Sequence, residues 1–281
     1  MKITESEKVR VIVIQTILIT AIVVTLLLTF IPLFLMIFLS LKSNAAIYAS
    51  FWTVPIPPRF ENYNAAYNIL LPNMLNSLAI VSISTVAVVI IASLSGYTFA
   101  RLTFPGKQFL FFAILSLMMV PGILTLTPQY KLMQDLRLTN TWWALFLPWV
   151  AGGQVMGIML CRTFLESQPS ALFESARIDG ASELGCYFRI ALPLAKPILT
   201  TLLILNMNGF YNDFIWPLMV IDNTSKTVIT VAIRVFQSQM GATQMGNMIA
   251  GFVISSIPLL ILFLFGSRLY IEGVTSGAVK M

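Results

Sequence analysis

Histidine is absent from the 281 residues, and cysteine occurs only twice, at Cys161 and Cys186. Without imidazole the chain lacks the usual proton shuttle near neutral pH and the commonest metal ligand, which argues against a metal centre. Two cysteines are too few for a disulfide framework or a thiolate metal site. Both fall on the side assigned below to the cytoplasm, where thiols stay reduced and unpaired. Charge is equally scarce: Asp, Glu, Lys and Arg make up 10% of the chain, against roughly 25% in an ordinary soluble domain. No long polar block is left to fold outside a bilayer, and neither an internal repeat nor a low-complexity tract is visible. No nucleophile–base pair suggests an enzyme. A G-x-x-x-x-G-K-[ST] stretch is also missing, since Gly106-Lys107 is followed by glutamine and lacks the upstream glycine, so the chain has no P-loop to hold ATP phosphates.

What is present is apolar. Hydrophobic residues account for 58% of the chain and mean hydropathy is +0.87, the composition of an integral membrane protein. A helix needs roughly 20 apolar residues to cross about 30 Å of hydrocarbon. Six windows qualify, at 11–38, 74–99, 109–128, 142–161, 198–220 and 248–270. All must be helical, because hydrocarbon offers backbone N–H and C=O groups no other partner. The predicted architecture is therefore an all-α polytopic membrane protein with six transmembrane helices. The opening Lys2, Lys8 and Arg10 before an apolar run imitate a signal peptide, yet the uncharged stretch 11–41 is far too long for one, so an uncleaved first span is expected.

Lys and Arg set the orientation. With the N-terminus inside, eleven of the 17 basic residues fall in inside segments and six in outside segments, which favours both termini in the cytoplasm. The +6 net charge then reflects topology and anionic-lipid contact and not nucleic-acid binding, because the cations flank spans instead of clustering with exposed aromatics. In the outer loop, Pro55, Pro57 and Pro58 predict an extended, surface-lying connection. Trp52, Trp142, Trp143, Trp149 and Trp216 lie near outer span ends, where an amphipathic ring suits the headgroup layer.

One segment breaks the apolar pattern. Between Ser167 and Pro197 the chain keeps soluble-looking helix. Pro169 favours helix entry; Leu172, Phe173 and Ala176 form one stripe; Glu174 and Arg177 are spaced to pair across a turn. Gly180 is placed as a stop, Ser182 as the cap of a second helix, and Glu183 in its first turn, with Pro193 expected to end that helix and Pro197 to open the fifth span. The pattern describes a bihelical knob whose small residues Ser175, Ala176, Gly180 and Ala181 admit another protein's surface. A solvated loop lying on headgroups fits it equally well.

The same segment resembles the EAA loop of permease subunits of ATP-binding-cassette importers: Glu174, Ala176, Gly180, Ile190, Leu192 and Pro193 match its spacing, with Ser175 in place of the first alanine. Further stretches are similar to the carbohydrate, maltose-type branch. They are Tyr97-Thr98-Phe99-Ala100-Arg101 with Phe104-Pro105-Gly106, Asn140-Thr141, Asn212 to Pro217, and Thr275 to Lys280, so the likeness covers nearly the whole chain.

The resemblance implies a type I importer permease fold. Its parts would be a cytoplasmic N-terminus over 1–10, a permease domain over 11–270 with a coupling loop over 163–197, and a cytoplasmic tail over 271–281, all in a bacterial cell membrane. It implies that Glu174, Ser175, Ala176, Asp179, Gly180, Ile190, Leu192 and Pro193 form the coupling helices that dock into an ATPase subunit, and that Gly277, Ala278, Val279 and Lys280 make a second contact there. The implied partners are a second permease subunit forming a heterodimer, two copies of the ATPase carrying ATP and Mg, an extracytoplasmic solute-binding protein and membrane lipid, with no nucleic acid. No cofactor belongs to this subunit.

Asp213 is the only acidic residue inside a predicted span, where a charge costs about 2.5–3.5 kcal/mol unless it meets water or a partner. It is expected to face inward. Asn206, Asn208, Tyr211 and Asn212 share its span and offer amide and hydroxyl groups suited to sugar hydroxyls, and Trp216 could stack on a sugar face. Interhelical hydrogen bonding explains any one of these residues as well; the same two readings hold for Gln154 and Asn247. Of the functions weighed, an ion-coupled secondary transporter would favour several intramembrane acids and an inverted repeat, and neither is found. A scaffold leaves the glycine corner without a reason. A permease for glycerol phosphate, polyamines or phosphate stays open, because related loops occur there too.

Overall fold

The computed structural model describes the backbone of residues 5–241 and 243–278, and side chains over 11–241 and 243–268. Its elements in chain order are α1 (Glu5–Ser40), α2 (Asn44–Ala49), α3 (Glu61–Arg101), α4 (Lys107–Ser116), α5 (Gly122–Asp135), α6 (Trp143–Glu166), α7 (Ala171–Ile178), α8 (Glu183–Cys186), a π turn at Tyr187–Ala191, α9 (Leu192–Leu194), α10 (Lys196–Asn212), α11 (Ile215–Val220), α12 (Ile229–Met240) and α13 (Met245–Ala278). No strand occurs among the described residues. Among the described residues four helices are long and apolar enough to cross a membrane, or up to six if each of two bent pairs is one span. Prolines 32, 72, 128, 148 and 258 lie within helices, a placement that membrane helices tolerate where neighbouring groups re-satisfy the freed backbone.

Two of the windows read as spans are interrupted by a break. The window at 109–128 breaks at Val120-Pro121, and the two arms meet at 100°. Proline crowds the α conformation of the residue before it, and Val120 is extended (φ −83°, ψ 114°). The window at 198–220 breaks at Asp213, which is also extended (φ −65°, ψ 125°); a short acidic side chain that bonds nearby backbone competes with helix continuation.

The chain forms two compact units. The first comprises Met1–Ile69 and Phe236–Ile254. Within it Asn62 donates to the carbonyls of Ser40 and Lys42 at 2.7 and 2.9 Å, and Lys42 donates to Ser50 O, Phe51 O and Thr53 Oγ1. A lysine 3% exposed is thus fully partnered, as a buried cation must be. The segment after it carries Tyr48, Trp52, Ile56 and Phe60 on its exposed surface. Asn247 lines a polar hollow of about 500 Å3 in this unit, beside Lys42, Arg59 and Glu61.

The second unit, Leu70–Val235 and Ser255–Met281, holds the main core, in which α3, α4, α6, α7, the π turn and α10 contribute Val88, Ala92, Phe111, Ile158, Phe173, Tyr187 and Leu202. Glycines let α3 and α6 approach closely. A Cβ on Gly157 would stand 2.7 Å from that of Ala92, and one on Gly96 would collide with Cys161. Asn140, at φ 60°, closes the far end by accepting from the N–H groups of Asp222 and Asn223 at 2.6 and 3.2 Å.

Candidate functional site

The knob expected between Ser167 and Pro197 is a built corner. α7 buries Phe173 (1% exposed) beneath the Arg101 guanidinium, which lies 4.2 Å from the ring centroid. Gly180 ends the helix at φ +82°, a region open to glycine at little cost. Its N–H donates to Arg177 O at 3.1 Å and that of Ala181 to Ala176 O at 2.9 Å, the paired bonds of a Schellman closure. Ala176 and Ala181 both pack on the core below, supplying the apolar contact that accompanies such closures. Ser182 then caps α8 by accepting from Gly185 N–H at 3.1 Å. Both expectations of sequence are met here.

Two others are corrected. Arg177 pairs with Glu183 and not with Glu174: its Nε donates to Oε1 at 2.8 Å and its Nη2 to Oε2 at 3.2 Å. The corner brings the first turn of α8 back alongside α7, and a two-pronged contact with a carboxylate outcompetes a single pair along the helix. The guanidinium bond holds the Glu183 carboxyl below its ordinary value, with burial opposing and the Tyr97 hydroxyl assisting. Arg177 is raised, chiefly by the same bond. The second correction concerns Pro193, which does not end the second helix. Having no N–H, it leaves the Arg189 carbonyl without an α-helical donor. The backbone widens to a π turn in which Leu192 N–H reaches Tyr187 O, and helix resumes to Leu194. The arm from Glu183 to Leu194 meets α10 at 74°.

The proposed coupling residues divide by direction. Glu174, Ser175, Asp179, Gly180 and Pro193 are exposed, whereas Ala176, Ile190 and Leu192 pack inward and act as scaffold. Sequence reasoning missed an exposed apolar crown of Ile178 (85%), Leu184 (64%) and Phe188 (59%). It also missed what holds the knob from within: Tyr97, Ser93, Arg101 and Tyr187. The free thiols of Cys161 and Cys186 are buried. Of the tail, Val279 and Lys280 lie outside the described residues, and of Gly277 and Ala278 only the helical backbone is described.

At the other end of α10, the carboxylate of Asp213 accepts from Trp149 Nε1 at 2.7 Å and, more weakly, from Trp216 N–H at 3.4 Å, and its carbonyl accepts from Thr230 Oγ1 at 2.7 Å. The Trp149 ring lies flat on Phe210, with centroids 5.1 Å apart. Asp213 is therefore a partnered helix junction. Trp216 is 4% exposed and donates to Ala144 O at 2.8 Å, so its ring offers no face to a solute, and neither it nor Trp149 belongs to a headgroup belt. Asn206 bonds Leu202 O. Asn208, Tyr211 and Asn212 line a groove of about 460 Å3 with Thr230, Ser255 and Ser256, and the Tyr211 hydroxyl donates to Ser255 O at 2.8 Å. Gln154 buries both amide atoms without a partner among the described residues.

Comparison with known proteins supplies the affiliation. Residues 8–271 match the family described as "Binding-protein-dependent transport system inner membrane component". The chain belongs to that family. The chain is 32% identical over 246 residues to the probable ABC transporter permease protein YurM of Bacillus subtilis (strain 168), covering 87% of this chain and 82% of the relative. It is 30% identical over 254 residues to the arabinooligosaccharides transport system permease protein AraQ of the same organism, covering 88% and 89%. It is 31% identical over 230 residues to the trehalose transport system permease protein SugB of Mycobacterium tuberculosis (strain CDC 1551 / Oshkosh), covering 81% and 84%. A chain in the crystal structure of a bacterial ABC transporter involved in the import of the acidic polysaccharide alginate superposes with a TM-score of 0.79 at 20% identity, over 95% of this chain and 99% of that one. The chain thus has the ABC importer permease fold, and it is a multi-pass membrane protein.

Proposed function

We propose that the chain is the permease subunit of an ATP-driven importer for a sugar or oligosaccharide, forming half of the pathway and converting ATPase closure into a switch of access. The observation that carries this reading is the crown of Ile178, Leu184 and Phe188, held out from the spans on a corner fixed by Gly180 and the Arg177–Glu183 pair. Large apolar side chains displayed by a rigid polar knob mark a protein-docking surface. Family membership supports a cytoplasmic ATPase as the occupant, and the chain carries no P-loop of its own. ATP and Mg belong on two copies of that ATPase, and this subunit is non-catalytic.

The sugar class is supported by relatives named for arabinooligosaccharides, trehalose and diacetylchitobiose and is favoured over phosphate, polyamine or ion-coupled alternatives. The groove at Asn208, Tyr211 and Asn212 is the proposed route lining. A second permease, an extracytoplasmic solute-binding protein and surrounding lipid complete the assembly. On this proposal both termini lie in the cytoplasm, with the domain limits 1–10, 11–270 and 271–281 and the coupling loop 163–197. In the tail, Gly277 to Lys280 are the proposed second contact. Affinity purification of the chain from its own membrane, followed by mass spectrometry, tests the reading. An ATPase, a second six-span protein and a solute-binding protein are expected, and purification without an ATPase would overturn it.

A further inference from the structure

Three residues of α3, each four apart and so on one face of the helix, grip successive parts of the knob. Arg101 caps the end of α6 by donating to the carbonyls of Leu165 and Gln168 and lies over the Phe173 ring of α7. One turn earlier, the Tyr97 hydroxyl donates to Glu183 Oε2 at 2.8 Å. One turn earlier again, Ser93 Oγ and the Tyr187 hydroxyl are 2.7 Å apart in a buried contact that keys the π turn. The Tyr97 ring is wedged between Phe173 and Tyr187, with centroids 6.3 and 5.6 Å away.

Only the middle contact reaches the corner itself. Glu183 is shared: Arg177 of α7 holds both of its oxygens, and one of them also accepts from Tyr97. A push on the exposed corner therefore has a direct polar route into α3 that bypasses the bend between the π-turn arm and α10.

We propose that Tyr97, acting through Glu183, is a positioning residue that keeps the coupling corner in register with α3, so that displacement of the corner moves α3 instead of being absorbed within the knob. The inference rests on the docking role proposed above. Coupling of this kind requires a physical element that both ends bias, and the α3 face provides it.

The test uses the complete complex in proteoliposomes. A fluorophore is attached at Ile83→Cys, an exposed position on α3, with Cys161 and Cys186 buried and spared. Its emission is read before and after trapping with ATP and vanadate, alongside the ATP hydrolysis rate and the ATPase content. Tyr97→Phe keeps the ring packing and removes the hydroxyl. It is expected to shrink the emission change several-fold while hydrolysis and ATPase content hold. Glu183→Gln, which keeps an acceptor for the Tyr97 hydroxyl, should retain the change. An unchanged emission change in Tyr97→Phe, with the complex intact, overturns the inference alone. Loss of ATPase content in Tyr97→Phe also overturns it, placing the link in folding and not transmission. A wild-type preparation without ATPase sinks the docking reading and this inference together.

Discussion

Arg177 and Glu183 form a two-pronged ion pair across the Gly180 corner, at 2.8 and 3.2 Å. The side chains are 35% and 46% exposed, so solvent screens the pair and its contribution is bounded at about 1 kcal/mol. Because the folded carboxyl is held below its ordinary value, the contribution is fully present above the unfolded value and is lost as pH falls through the folded one. Thermal unfolding in detergent should show a wild-type advantage over Arg177→Gln that is constant near neutrality and shrinks below about pH 4. An advantage that grows on acidification would contradict the pairing.

Gly180 should tolerate substitution according to backbone and not size, because a Cβ there meets nothing within 4 Å. A β-branched residue at positive φ is the severe case. Gly180→Val is expected to lose about 1–2 kcal/mol and most solute-stimulated ATP hydrolysis, with Gly180→Asn much milder. Equal effects of Val and Asn in a reconstituted ATPase assay would mean that the conformation is not what matters.

Asp213 should behave as a junction. Asp213→Asn keeps an acceptor for the Trp149 indole and should assemble normally. Asp213→Ala strands that donor and should destabilise by about 1–3 kcal/mol. Trp149 fluorescence and thermal melts read both, and a destabilised Asn variant beside a normal Ala variant would contradict the contact.

The α3–α6 crossing depends on glycine. Gly96→Leu would drive a side chain into Cys161, and overpacking of this kind costs about 1–3 kcal/mol or more. Loss of yield with retained membrane insertion is expected. At Gly152, which has open space, the same change should be silent.

Much of this fold was legible because each cue is local. Charge-free runs such as 11–41 announce spans, and Gly180 with Ser182 announces a stop and a cap. The breaks were harder. Pro121 resembles the prolines that helices elsewhere in the chain absorb, and Asp213 reads as a buried charge until Trp149, 64 residues away, is seen to satisfy it. Trp216 sits where a headgroup tryptophan would sit, yet its indole is claimed by Ala144. Glu174 is the nearest acid to Arg177 in helical spacing, and only the folded corner brings Glu183 closer. The Tyr97 contact spans 86 residues, beyond any periodicity.

The most direct measurement is a crosslink from the crown. A photoreactive residue at Ile178 or Leu184, activated in vesicles that are importing solute, should join the chain to its ATPase, with a yield that changes when ATP and vanadate trap the complex. Crosslinks reaching only lipid, in vesicles shown to be transporting, would contradict the account.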